Sequence, residues 1–406
     1  MKEINDKIAL TLENIYDQSS KTLDKDKFNK IMVEATEYTR WFSLESNSLL
    51  GRANDPCDFS FEQHHAHTAR TAMLWGWLDP NLFIEKIDSD TMNEILNIRK
   101  SPYPYDSLEI KKHINCKNPK YNFVIPVKES DGELTRTYHL RILCNYLMMY
   151  LRFRKDWAVT IVIQEDNNRM TDFILENLNK FKEQYGFENF NVFTVVKSDK
   201  FMKKSCCYNL ACKEIESEWQ INHDVDLVFT SKFIDGIENF CAANIGKFFQ
   251  PYCGGKVTQL TADQTDLLVT KHAEGVLLAI EPFLDREVSM SPVKAPGGSV
   301  VVKRDLMIEV GGYDPHIIEG YGPEDSMFWL KLELATLKPD VTGFSSPHIG
   351  GGYYSNHVET QVLHFLHPPG LIDIDSAFIP FAYYTFLTHG DPKKRTEFLN
   401  SIKGKL

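Results

Sequence analysis

The sequence predicts an α/β fold, a mostly parallel sheet flanked by helices, with a helical module ahead of it. Three observations carry that prediction. Short apolar, β-branched runs recur from Phe123 to Phe229. Segments of helical length separate them, as in βαβ units. Residues 1 to about 115 lack such runs and show apolar residues at 3.6-residue spacing instead.

In the helical module, Ile8, Leu12, Ile15 and Tyr16 make one stripe, and Ile31, Met32, Ala35, Tyr38 and Trp41 a second. Asn54-Asp55-Pro56 and Ser101-Pro102-Tyr103-Pro104-Tyr105 punctuate it as loops. Phe123-Val124-Ile125-Pro126-Val127 then reads as a buried strand, followed by a helix over about Leu140 to Tyr150. Val159–Ile163 is a strand, Asp172–Phe181 a helix, and Val192–Val196 a third strand. A helix is expected from about Asn209 to Trp219, and Val225–Phe229 as the next strand. The expected division is a helical module over 1–115, a main domain over 116–375 and a helical tail over 376–406. Ligands of such sheets bind beyond the carboxyl ends of the strands, so residues just after each strand are the candidates.

The composition narrows the function. A formal net charge of -11 over 406 residues argues against nucleic acid, whose phosphates demand clustered Lys and Arg. The tail alone is basic, with Lys393, Lys394, Arg395, Lys403 and Lys405, and offers a peripheral contact for an anionic membrane face. Eight cysteines without a C-x-x-C pair read as reduced thiols, which favours the cytoplasm. The first residues, Met-Lys-Glu-Ile-Asn-Asp, are too polar for a secretion signal, and no apolar run reaches membrane-spanning length.

Two constellations carry chemistry. In His223-Asp224-Val225-Asp226-Leu227, two carboxylates one residue apart at a strand edge can share a divalent cation. Hard oxygen ligands suit Mn²⁺ or Mg²⁺. An acidic loop is the plainer reading of such a triplet, but its place against an apolar strand favours the metal. The second constellation is Gly297-Gly298-Ser299, then Gly311-Gly312-Tyr313-Asp314, then Glu319-Gly320-Tyr321-Gly322-Pro323-Glu324-Asp325. Acids at a helix N-terminus are ordinary capping; the preceding Gly-Tyr-Gly points beyond that. His64-His65 and His67 tempt a zinc reading, yet without Cys or a second ligand pair a polar helix surface fits better.

Taken in order, these motifs resemble those of the GT-A glycosyltransferases, whose fold is Rossmann-like. Members with a galactosyltransferase-type C-terminal half are most similar, including β-1,4-galactosyltransferases and chondroitin-polymerase-like enzymes of bacterial capsules. The resemblance spans roughly residues 120 to 370. It implies that Pro126, Val127 and Lys128 form the first strand and its nucleotide-facing turn. Glu165 and Asp166 match the acidic position that contacts the base. Lys203 or Lys204, with Asn209, resembles the pattern near the diphosphate, and Asp224 and Asp226 the metal and ribose-diphosphate ligands. Gly298 and Tyr321 fall on the acceptor side, with Glu324 beside them, and Asp325 matches the catalytic base of inverting members. A third metal ligand is implied at His364 or His367, with His348 and His357 as weaker matches. The chain departs from the galactosyltransferase pattern at Pro323 and Ser326.

What the resemblance implies is a metal-dependent, inverting hexosyltransferase. It would move a hexose or N-acetylhexosamine from a UDP-sugar to a hydroxyl of a saccharide or glycolipid acceptor, in bacterial surface polysaccharide or glycan synthesis. Two other classes stay open: a nucleotidyltransferase, and a non-catalytic sugar- or partner-binding module on the same fold. The first usually carries a Gly-rich phosphate loop after the first strand, and Val127-Lys128-Glu129-Ser130 is not one.

Overall fold

The computed structural model describes residues 1–35, 61–74, 78–79, 81–98, 108–128, 135–165, 169–196, 202–244, 246–252, 257–284, 298–315, 324–336, 362–365 and 378–389, with single positions beyond 392. Its contacts divide the chain into two compact units, neither continuous in sequence. One joins Met1–Tyr103, Asp314–Gly350 and His367–Ser401; the other joins Pro104–Tyr313, Gly351–Leu366 and Ile402–Leu406.

The first unit is helical among its described residues apart from short connections. It begins with α1 (Lys2–Thr22), α2 (residues 25–35), α3 (Phe61–Leu74), α4 (Asn81–Lys86) and α5 (Ser89–Ile98). The α1 stripe is where the spacing put it: Ile8, Leu12 and Ile15 are fully buried. Ile31, Met32 and Ala35 are buried on α2; Tyr38 and Trp41 lie outside the described residues.

The second unit is built on a seven-stranded sheet. Its elements are β1 (Glu109–Ile114), β2 (Tyr121–Val127), α6 (Thr135–Leu151), β3 (Trp157–Glu165), α7 (Arg169–Tyr185), β4 (Phe190–Val196), α8 (Lys204–Glu214), β5 (Trp219–His223), β6 (Leu227–Phe229), α9 (Ser231–Ala243), β7 (Phe248–Phe249), β8 (Val257–Gln259), α10 (Ala262–Ala273), α11 (Glu281–Leu284), β9 (Ser299–Lys303), α12 (Arg304–Glu309) and β10 (Val362–His364). Two further helices, α13 (Glu324–Thr336) and α14 (Ile379–His389), return to the helical unit. There Phe381 of α14 packs edge-on against Phe83 of α4, and the Phe378 N–H donates to the Asn5 side chain of α1.

The sheet order is β1-β4-β3-β2-β5-β9-β7. β4, β3, β2 and β5 are parallel, while β9 runs against β5, and β1 against β4. The chain steps outward from β2 to β3 to β4, then crosses back to place β5 on the other side of β2. That reversal is a topological switch point, and it opens a crevice beyond the carboxyl ends of β2 and β5. A second sheet, β6-β10-β8, sets β10 antiparallel to β6 and parallel to β8. Inside the main sheet a polar row crosses three strands: Thr160 donates to Asn122, and Asn191 to Thr160. These buried bonds tie the three strands together in one register, although among the described residues the Asn122 amide nitrogen is left without a partner.

Three expectations need correction. Glu109–Ile114 is a strand, although the sequence placed it in the helical segment; β1 is an exposed edge, and Lys111, Lys112 and His113 give it no apolar alternation. The strand after the third βα unit is Trp219–His223, so the helix before it ends at Glu214, not near Trp219. The run from Val225 to Phe229 is cut to Leu227–Phe229 and belongs to the second sheet. Among the described residues, no helix is long and apolar enough to cross a membrane. Of the basic tail, Lys403 pairs with Glu309 of α12 at 3.2 Å.

Candidate functional site

The carboxyl end of β5 leads directly into Asp224 and Asp226, and the backbone there is clamped on two sides. The Asp224 N–H donates to the Gly298 carbonyl at 2.8 Å, which prolongs the β5–β9 ladder by one step. The Asp226 carbonyl accepts from the Phe365 N–H at 2.9 Å, just past β10. Beneath them His223 is buried among Phe123, Phe229 and Phe233. Burial pulls its pKa down to about 4, so it is a neutral part of the floor.

Each carboxylate has its own cation. Lys204 and Tyr208, one turn apart on α8, both face Asp224. The Lys204 ammonium is 2.9 Å from Oδ1, and the Tyr208 hydroxyl donates to the same oxygen at 3.1 Å. Asp226 is more buried, and its Oδ2 accepts from the guanidinium of Arg136 in the first turn of α6. Its Oδ1 lies 3.5 Å from His364 Nε2.

The His364 ring is held in one tautomer by Gln259. The Gln259 amide N–H₂ donates to the His364 and Leu260 carbonyls, which leaves Oε1 as an acceptor 2.6 Å from His364 Nδ1. Nδ1 therefore carries a proton, and Nε2 faces the carboxylate oxygen of Asp226. A ring nitrogen and a carboxylate oxygen at this distance share a positive charge, either a proton on Nε2 or a metal ion in its place. Two ligands of an octahedral Mg²⁺-sized cation stand roughly 3 Å apart, close to the observed separation. Asp226 and His364 thus fit a divalent cation, with Gln259 orienting the imidazole from behind. Among the described residues no set of three His, Cys, Asp or Glu converges on one point. His367 lies outside them.

The other predicted residues fall as follows. Pro126 is buried in β2 beyond the last β2–β5 pair, where a missing N–H breaks no bond to β5. Lys128, half-buried, is the first residue past the end of that strand. Glu165, at the end of β3, accepts from the Met170 and Thr171 N–H groups and so caps α7; Asp166 lies outside the described residues. The Lys203 N–H donates to Gln164 at 3.0 Å. Asn209 is buried, and its amide bonds both the N–H and the carbonyl of Tyr313. Gly298 has φ +89°, and a Cβ there would stand 2.6 Å from Leu227 and 3.0 Å from the Tyr252 hydroxyl, so close packing requires a glycine. Glu324 and Asp325 open α13 in the helical unit, Glu324 buried and Asp325 half-buried. Tyr321, Pro323, His348 and His357 lie outside the described residues.

Arg136, Tyr208 and Gln259 were not among the sequence candidates. The fold shows why: one is on the helix after β2, one is a turn beyond Lys204, and one comes from a three-residue strand far along the chain. Only Tyr208 left a local signal, its i+4 spacing from Lys204.

No protein-family model matches the chain, and no curated relative does either. Solved structures similar to it include the mannosyltransferase PcManGT from Pyrobaculum calidifontis in complex with GDP-Man and Mn²⁺, at 13% identity and a TM-score of 0.36, covering 82% of this chain and 84% of that one. S. aureus TarS 1-349 is similar at 11% identity and a TM-score of 0.36, covering 70% of each chain. The same TarS fragment in complex with UDP-GlcNAc gives 13% identity, a TM-score of 0.35, and coverage of 70% and 71%.

Proposed function

We propose that this chain is a GT-A glycosyltransferase that moves a sugar from a nucleotide-sugar donor to an acceptor hydroxyl, with inversion at the anomeric carbon. One observation carries the reading: Asp226 and Nε2 of His364 face each other at the crevice beyond β2 and β5, with Asp224 two residues before Asp226 on its loop. A divalent cation held by Asp226 and His364 would offset the charge of a departing diphosphate. Lys204 adds a fixed positive charge beside Asp224, and Tyr208 holds that carboxylate in place. Gln259 keeps the proton on Nδ1 of His364 and so keeps Nε2 open as a ligand. Lys128 contributes a further cation where β2 enters the crevice.

The base is assigned to Asp325, on the strength of the run Gly320-Tyr321-Gly322-Pro323-Glu324-Asp325. It takes the proton of the acceptor hydroxyl, while Glu324 holds acceptor hydroxyls. The donor proposed is a UDP-linked hexose or N-acetylhexosamine, and the acceptor a saccharide or glycolipid.

The test is Mn²⁺-dependent hydrolysis of a panel of UDP- and GDP-sugars, with calorimetry of UDP binding in parallel. Asp226→Ala should abolish both hydrolysis and the Mn²⁺-dependent part of UDP binding. Full activity in that variant, or in excess chelator, sinks the assignment.

A further inference from the structure

Asp226 meets Arg136 through one oxygen and Nε2 of His364 through the other. The pair with Arg136 is largely withdrawn from water: the two side chains are 21% and 10% exposed. A guanidinium this close affects a cation on the far oxygen in two ways. It draws charge from the carboxylate, and it repels a second positive charge a few ångströms away across poorly screened space. Lys204, already seated on Asp224, adds to that repulsion.

We propose that Arg136 is the resident counter-ion of Asp226, which a divalent cation must displace. Cation and diphosphate binding are then coupled through this one side chain. The proposal rests on the reading of Asp226 and His364 as cation ligands. Arg136 starts from the first turn of a helix at the rim of the crevice, so a rotation of its own side chain suffices to release the carboxylate. An anion in the crevice gives the released guanidinium a new partner, and whatever stabilises the released state raises cation affinity. By linkage the cation raises anion affinity by the same factor.

The experiment titrates Mn²⁺ into the full chain by calorimetry, without and with saturating UDP, for the unsubstituted protein, Arg136→Gln and Arg136→Lys. Losing a charged hydrogen bond that competes for the site should tighten Mn²⁺ binding of Arg136→Gln roughly ten- to a hundred-fold in the absence of UDP. UDP should raise the Mn²⁺ affinity of the unsubstituted protein at least about ten-fold, and that of Arg136→Gln by less than about three-fold. Arg136→Lys should fall between them. Should Arg136→Gln fail to fold, ¹⁵N-arginine NMR of the unsubstituted chain supplies a second readout. The Arg136 Nε–H resonance, assigned by its loss in Arg136→Lys, should shift on Mg²⁺ addition. Equal Mn²⁺ affinity and equal coupling in Arg136→Gln, or an unmoved Arg136 resonance at saturating Mg²⁺, overturns the proposal. If Asp226→Ala still abolishes Mn²⁺ binding, the reading of the site survives that failure. Mn²⁺ binding undiminished in Asp226→Ala overturns the reading of the site itself.

Discussion

Asn209 and Gly312 hold one another in place, and their fit shows how single residues set up the crevice wall. Gly312 has φ +61°, and a Cβ there would come within 2.3 Å of the Asn209 side-chain oxygen. That oxygen accepts from the Tyr313 N–H, and Tyr313 in turn packs against Tyr208, which faces Asp224. Gly312→Ala therefore meets both an unfavourable backbone region and a collision, and should lose about 2 kcal/mol or more of stability. Urea unfolding at unchanged m-value checks this; an unmoved midpoint would show that the turn relaxes. Asp325→Asn keeps the shape and removes the basicity, so transfer should fall roughly 10²–10⁴-fold at unchanged donor affinity. Glu324→Gln should instead raise the acceptor KM. Steady-state kinetics with calorimetry separates them, and near-normal turnover in Asp325→Asn would hand the base role to Glu324.

At the scale of elements, how far each one could be read in the sequence follows from what its residues bury. Phe123–Val127, Val159–Ile163 and Val192–Val196 are apolar and β-branched runs, broken only by buried Thr160 and Thr194, because β2, β3 and β4 are covered on both faces, and such runs read as strands without help. β5 hides because Gln220, Asn222 and His223 sit in it, fully buried; Gln220 donates to Asn222 and to the Tyr208 carbonyl. Local polarity there reports a hydrogen-bond network rather than solvent. The small sheet was illegible for another reason, since β6, β8 and β10 are three residues each and meet only through distant pairing. At the site, Asp224, Asp226, Lys204 and His364 are chemically conspicuous, and the structure brings them to one crevice. Arg136 and Gln259 reach it only through tertiary packing. The helices of this unit also predict a pH response. His272 of α10 is buried against α6, where its Nε2 lies 3.1 Å from the Asn145 amide, and burial pulls its pKa from 6.5 down to about 4. Unfolded, this imidazole takes its proton near pH 6.5; folded, it does so only near 4. Its contribution to stability is therefore complete above pH 6.5 and is lost as the pH falls toward 4. The urea midpoint should drop over that window, and His272→Gln should flatten the drop; an identical profile in the variant would refute this.

For the whole molecule, the discontinuous helical unit decides what can be cut away. A chain beginning at Lys117 loses α1 to α5 and the edge strand β1. α14 then has neither Phe83 against Phe381 nor Asn5 beneath the Phe378 N–H. Hydrogen exchange should show α14 amides unprotected in that fragment, while β2, β3 and β5 keep their protection. Protected α14 amides would mean that α13 and α14 hold together without the N-terminal helices. The same arrangement has a consequence for synthesis. α1 to α5 leave the ribosome well before α14, which packs on them and follows α5 by most of this sequence. At about 5–20 residues per second the early helices wait roughly a quarter of a minute to a minute for their partner. During that interval the Ile8, Leu12 and Ile15 stripe lacks part of its cover.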